Sequence, residues 1–234
     1  MVITKFSKGE CGGSEAQVEA LRAAVLSWFA TNGRDFPWRN TTDVFHILVA
    51  EILLRQTQAW RVREPYLELI RRYPSPEALA VADVDELQRW FRPLGLVKRA
   101  HHLVRIAQTL VAQYGGQIPA DLGVLRGLPG LGIYGARAIL CLGFGVPVPM
   151  IDEGSGRALR RVLGVSPRGP AYCDSKLLQI AENILPKQWA KEFNLGLIDI
   201  TAAYCHSRAP SCANCPLASV CLHRCQGLQP ASPK

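Results

Sequence analysis

LPGLGIYGARAIL, Leu128–Leu140, sets two glycines two residues apart behind a proline at the mouth of an apolar run with helical spacing. A turn alone needs one glycine, so a second implies that something approaches the backbone closely. Between a helix ending near Leu128 and another starting near Ile133, Pro129, Gly130, Leu131 and Gly132 form a tight turn. Its backbone N–H groups point outward at a helix N-terminus, which makes a nest suited to a phosphate. Gly130, Gly132 and Ile133 are the candidate residues for that anion, and a nucleic-acid backbone held there would be bound without regard to its bases. A plain corner between two helices is the alternative reading.

Upstream, FHILVAEILLRQTQAW is apolar on every side through Leu54 and reads as a buried central helix carrying a single carboxylate, Glu51. A buried glutamate must be paired, hydrogen-bonded or protonated, because desolvation raises its pKa. Further towards the N-terminus, Val18, Leu21, Val25, Trp28 and Phe29 share one helical face before TNGRDFPW interrupts the pattern. EPYLELIRRY, SPEALAVADVDELQRWF, VKRAHHLVRIAQTLVAQY and ADLGVLRGL add helices, with Ser75 and Asp83 as caps. Downstream, the prolines of FGVPVPMID prevent a helix and mark a boundary before SGRALRRVLG. No strand alternation appears, and the fold class is all-α in two lobes, without internal repeats.

The composition fits such a fold: among 234 residues, 48% are hydrophobic and 20% charged, ordinary for a globular chain. No stretch approaches the run of about 20 apolar residues that a membrane span requires, and MVITKFSKGECGGSE lacks an apolar signal core. The expectation is a cytoplasmic chain with a frayed start and no membrane partner. A formal net charge of +8, with Arg outnumbering Lys, favours an acidic partner such as nucleic acid. Of eight cysteines, Cys205, Cys212, Cys215 and Cys221 fall in CHSRAPSCANCPLASVC with the spacing C-x6-C-x2-C-x5-C. Four thiolates so close make a metal site, and by spacing alone zinc and an iron-sulfur cluster are both open. Cys225 follows as a bystander, and the adjacent His101 and His102 carry no role beyond phosphate contact beside Lys98 and Arg99.

A helix, the LPGLG hairpin, a second helix, an aspartate in PMIDEGSGR and four cysteines together strongly resemble the helix-hairpin-helix DNA glycosylases of the endonuclease III superfamily. DFPWRNT, EILLRQTQ and FNLGLIDITAAYC extend the resemblance over about residues 18–223. It implies a six-helix barrel domain over 43–146, an iron-sulfur cluster domain from 16–42 and 147–234, and a disordered 1–15. It also implies a [4Fe-4S] cluster on the four cysteines, fixing a loop from which Arg208 meets a phosphate, and a monomer acting on double-stranded DNA within the nucleoid.

The same resemblance assigns roles to residues. Asp152 matches the catalytic aspartate that stabilises the cationic sugar as the base departs; a helix cap is its bland alternative. Glu51 matches the buried glutamate that protonates the base in adenine-removing enzymes and holds it in thymine-removing ones. Gln56 takes the position that fills the gap left by the extruded nucleotide, with a solvent-facing glutamine as the alternative. Tyr134 stands where bifunctional members carry the Schiff-base lysine, so the expectation is a monofunctional enzyme with little lyase activity.

Within the superfamily the chain looks most like mismatch glycosylases, acting on thymine or uracil opposite guanine. Adenine or a modified base is the alternative, and a DNA-binding protein with little catalysis the alternative of another class. One departure stands out: relatives of this type have asparagine two residues after the aspartate, whereas this chain has Gly154. Glu153 beside Asp152 either repels its charge or faces solvent.

Overall fold

The structure, a computed structural model, describes residues 14–92 and 95–225. Among them there are helices and turns and no strand. The chain divides into two compact units: Asp35–Val146, and the segments up to Arg34 and from Pro147 onward.

The first helix is α1 (Glu15–Asn32). The middle unit then contains α2 (Val44–Leu54), α3 (Ala59–Arg72), α4 (Pro76–Ala80), α5 (Val84–Phe91), α6 (Val97–Tyr114), α7 (Leu122–Gly127) and α8 (Ile133–Phe144). The other unit continues with α9 (Glu153–Leu163), α10 (Ser175–Ile184), α11 (Ala190–Ala203) and the short α12 (Leu222–Cys225). Side-chain oxygens start many of these helices: Ser14, Asp43, Ser75, Asp83, Asp121, Asp152 and Asp174 each accept a backbone N–H of the first turn. Gly115, Gly145 and Gly164 close α6, α8 and α9 in the left-handed conformation.

The core of the middle unit is α2. Phe45, Ile47, Leu48, Val49, Ala50, Ile52 and Leu53 are all buried, so the helix has no solvent face over most of its length. It packs against α3, α6 and α8, while α4 and α5 lie on α6. The turn before it is pinned by aromatics: Phe36 stacks on Trp38 at 4.9 Å, and Trp38 meets Tyr66 edge-on at 5.4 Å. Burial, assisted by the negative charge of Asp43, pushes the Tyr66 hydroxyl up to about 12.

In the other unit α1 packs on α11, and Gly196 makes the approach close: a Cβ there would stand 2.9 Å from Val25 Cγ1. An ion pair on the buried Asp199 locks the end of this seam. Asp199 Oδ1 accepts Arg34 Nε at 2.7 Å, and Asp199 Oδ2 accepts the Arg34 backbone N–H at 2.9 Å. Gln17 Nε2 donates to the carbonyls of Val162 and Val220, tying α1 to the end of α9 and to the cysteine segment.

Three local expectations change. The frayed start 1–15 lies mostly outside the described residues, and Ser14 and Glu15 form the cap and first residue of α1. α3 begins five residues before Glu64, with Pro65 inside it; Val62, Tyr66 and Leu69 bury one continuous stripe across the proline. Finally, α2 ends at Leu54 because Gln56 adopts φ +51°, a left-handed conformation that breaks the helix before its polar end.

Candidate active site and nucleic-acid interface

Glu51 lies on the buried face of α2 with 7% of its surface exposed, its Cβ 3.9 Å from where a side chain on Gly135 would begin. That contact places it directly behind the first turn of α8, the helix that the hairpin opens. Loss of water pushes the Glu51 carboxyl up to about 8, against the opposing pull of the Arg39 guanidinium. Arg39 belongs to the turn fixed by Phe36 and Trp38 and itself lies over the Phe36 ring at 5.4 Å. Its burial thus raises the pH at which the carboxyl gives up its proton, in an apolar wall.

The two hairpin glycines differ in their surroundings. Gly130 has φ +74°, and a Cβ there would run into the imidazole of His102. Gly132, the N-terminal cap of α8, has extended backbone, and a Cβ on it would meet nothing within 4 Å. Ile133 and Tyr134 follow, both half-buried, in the first turn. Burial first, then the cations Arg55, Arg105, His101 and Arg99, push the His102 pKa down. The His102 ring packs against the turn at Gly130.

Two arginines brace the turn that carries Gln56. Arg55 donates to the Gly130 carbonyl, and Arg99 donates to the Leu53 carbonyl and to Thr57 Oγ1, the latter at 2.9 Å. Gln56 stands exposed between them. The hairpin, the end of α2 and α6 are thereby one braced surface within the middle unit.

In the other unit Asp152 caps α9. Its Oδ1 accepts the Ser155 N–H at 2.6 Å and the Ser155 hydroxyl at 2.7 Å, a capping box that fixes the carboxylate at the positive end of the helix. Asn194, buried on α11, holds the approach: it accepts Met150 N–H and donates to the Val148 carbonyl, both at 2.9 Å. Of its two alternatives Glu153 takes the solvent-facing one: it is exposed, and its Oε1 also accepts the Ala171 N–H at 2.9 Å. At Gly154 a Cβ would stand 3.1 Å from Thr201 Oγ1 and 3.3 Å from Asp152 Oδ1, so buried Thr201 takes up the room a side chain would need.

The four cysteines line one pocket together with Tyr204, Leu217 and His223. Burial, reinforced by the neighbouring Cys205, Cys221 and Cys212 sulfurs, pushes the Cys215 thiol up to about 11, and the Cys221 thiol rises for similar reasons. Four sulfurs gathered this way repel as thiolates unless a cation neutralises them, so the donor set fits a thiolate-bound metal group. Among the described residues no three His, Cys, Asp or Glu side chains are arranged to hold a single ion. Arg157 and Arg161 of α9 grip the loop after Cys205: Arg157 donates twice to the Cys205 carbonyl, at 2.9 and 2.7 Å. Arg161 reaches the Cys205 sulfur at 3.3 Å and the His206 and Ser207 carbonyls. Arg208 next to them is exposed.

Sequence reasoning passed over Arg39, Arg55, Asn194, Ser155, Arg157 and Arg161 as site residues. Ser155 alone had a local signal, standing three residues after a capping aspartate.

A hairpin with an open glycine at a helix N-terminus, a buried glutamate, a capped aspartate and a cysteine pocket define a class. Residues 49–183 match the HhH-GPD superfamily base excision DNA repair proteins, and the chain belongs to that family. It is 43% identical to a thymine-DNA glycosylase of Aeropyrum pernix, over 89% of this chain and 96% of that protein. Identity to a thymine/uracil-DNA glycosylase of Pyrobaculum aerophilum is 39%, over 86% and 90% of the two chains. The solved structure of a thermostable thymine-DNA glycosylase superposes with a TM-score of 0.85 at 32% identity, covering 90% of this chain and 98% of that one. Among the described residues no helix is long and apolar enough to cross a membrane.

Proposed function

We infer that this protein is a DNA glycosylase of base excision repair that hydrolyses the N-glycosidic bond of a mismatched base, and that the base is thymine or uracil opposite guanine. The observation that carries the reading is Glu51, a carboxyl kept protonated near neutral pH by its apolar helix and set behind the hairpin that opens α8. The identity to thymine and thymine/uracil glycosylases supports the choice of base.

Each residue takes a defined part. The N–H groups at Gly130, Gly132 and Ile133 hold a phosphate of double-stranded DNA, and the absent side chain at Gly132 lets that phosphate approach. Gln56, exposed on its left-handed turn, enters the gap left by the flipped nucleotide. Glu51 donates a hydrogen bond or a proton to the departing base, lowering the charge it carries away. Asp152, oriented by Ser155 at the α9 N-terminus, stabilises the sugar cation and directs water to it. Tyr134 has no amine to attack the sugar, so the product is an abasic site with the strand intact.

Cys205, Cys212, Cys215 and Cys221 would hold a [4Fe-4S] cluster, which would fix the loop between Cys205 and Cys212 and supply no step of the chemistry. Arg208, on the loop that Arg157 and Arg161 hold, supplies a further phosphate contact. The cysteine-bearing unit is thus a cluster domain and the middle unit the domain of the hairpin; the protein acts as a monomer in the nucleoid.

The test uses labelled duplexes containing T·G, U·G, A·G, A opposite 8-oxoguanine or hypoxanthine·T, heated in alkali after incubation. Cleavage confined to T·G and U·G is the expected result, with little cleavage before heating and no borohydride-trapped adduct. Release of a purine would overturn the assigned base, and tight binding without any release would replace catalysis by binding alone. Iron and blue absorbance are expected in the purified protein, whereas a colourless protein with stoichiometric zinc would overturn the cluster.

A further inference from the structure

Trp60 is 68% exposed at the start of α3. Large aromatic side chains lose favourable burial when left in water, and one so exposed calls for a partner when it lies on a surface already organised for another purpose. Val81, Tyr172 and Trp189 are also exposed. Trp60 differs in its place: it stands four residues after Gln56, on the segment leaving the turn that Arg55 ties to the hairpin and Arg99 ties to α6. The Arg61 guanidinium lies over the indole, 5.6 Å from the ring centroid, which helps fix the ring while much of it remains in water.

The charges around it select the partner. Arg55, Arg61 and Arg63 are all exposed on residues 55–63, and Glu64 follows as the first acid. A flat apolar ring beside a row of guanidiniums is complementary to a polyanion that also offers flat apolar faces. A nucleic-acid strand has both, and its bases show those faces where stacking has been broken.

We propose that Trp60 is an additional DNA-binding residue, which stacks on a base left unstacked beside the extruded nucleotide while Arg61 pairs with the adjoining phosphate. The proposal rests on the reading of the molecule as a base-flipping enzyme and adds to it a second residue that stabilises the opened strand. Trp60 and Gln56 then divide the work: the glutamine occupies the vacated position, and the indole covers a neighbouring base that would otherwise face water.

The experiment measures affinity by fluorescence anisotropy for two duplexes of the same sequence, one fully paired and one with a stable abasic analogue opposite guanine. Trp60→Ala should weaken binding to the abasic duplex about tenfold, the size expected of one base–aromatic stack. Trp60→Phe should restore most of the affinity, and the paired duplex should respond much less, since its bases remain stacked. Both variants should melt as the wild type does, because the side chain is exposed. Unchanged affinity of Trp60→Ala for the abasic duplex would overturn the proposal. An equal loss on both duplexes, or no recovery in Trp60→Phe, would overturn it as well by removing the stack. If the wild type itself shows no preference for the abasic duplex, the base-flipping reading fails and takes this contact with it; a preserved preference with an indifferent Trp60 removes the contact alone.

Discussion

Each of the two units holds a carboxylate, and their surroundings are opposite. In Asp35–Val146, Glu51 sits among Leu48, Ile52 and Leu53 on a helix with almost no solvent face, and burial raises its pKa to about 8. In the other unit Asp152 is half-buried at a helix N-terminus and takes hydrogen bonds from both the amide and the hydroxyl of Ser155. One environment removes water so that a proton stays on; the other replaces water with fixed hydrogen-bond donors that orient the carboxylate. Two carboxyl groups in one chain thereby acquire different chemistry from their neighbours, which is how acid and anion roles are separated at a single pH.

Replacing Asp152 breaks the comparison most severely. Asp152→Asn keeps an N-capping oxygen and loses the charge, so single-turnover excision should fall by about a thousandfold with melting temperature and duplex affinity little changed. A comparable loss of stability would assign the residue to capping alone.

The next effect belongs to Glu51. Glu51→Gln should slow excision by about a hundredfold at neutral pH. In the wild type the rate should decline as pH rises through about 8, and in the variant that decline should vanish. Stability carries the same signature: the folded carboxyl keeps its proton up to about 8, and the unfolded one loses it near the ordinary glutamate value of 4.5. The folded state therefore binds more protons across that interval, and wild-type stability should fall as pH rises through it. Denaturant melts from pH 5 to 9 would show this slope in the wild type and its absence in Glu51→Gln.

A third change probes the scaffold behind Asp152. Asp199→Asn leaves the Arg34 guanidinium without its buried anion and should cost about 2 kcal/mol, less than a fully buried pair because Arg34 is partly exposed. The smallest and most discriminating effects come from the hairpin glycines. Gly130→Ala forces a left-handed residue against His102 and should destabilise by about 1–2 kcal/mol. Gly132→Ala enters open space and should leave the melting temperature unchanged while weakening duplex affinity several-fold. Equal behaviour of the two variants would mean that both glycines serve the turn alone.

What could be seen beforehand follows a physical line. Helix starts were legible because Asp83, Ser75 and Asp152 carry their acceptors immediately before the N–H groups they satisfy. The buried α2 was legible because an unbroken apolar run has no face for water. The left-handed turn at Gln56 was hidden, since glutamine has no special tolerance for positive φ and only the bracing from Arg99 reveals why the turn holds. Arg99 to Leu53, Asn194 to Met150 and Arg34 to Asp199 join residues more than 40 positions apart, and no local pattern announces such pairs. Glu51 and the upward direction of its pKa were legible from the apolar run around it, whereas the opposing pull of Arg39, twelve residues earlier, was not.

The hydrogen bonds of Gln17 and the packing of α1 on α11 mean that one unit is assembled from segments on either side of the other. During synthesis Leu21 and Val25 leave the ribosome with nothing to cover them until α11 has been made, a wait of about ten seconds or more at ~5–20 residues per second. The middle unit, contiguous in sequence, has no such wait. A growing chain thus passes through a stage in which the hairpin unit can be complete while the seam around Gly196 is still missing, and in that interval the apolar face of α1 is what a chaperone would meet.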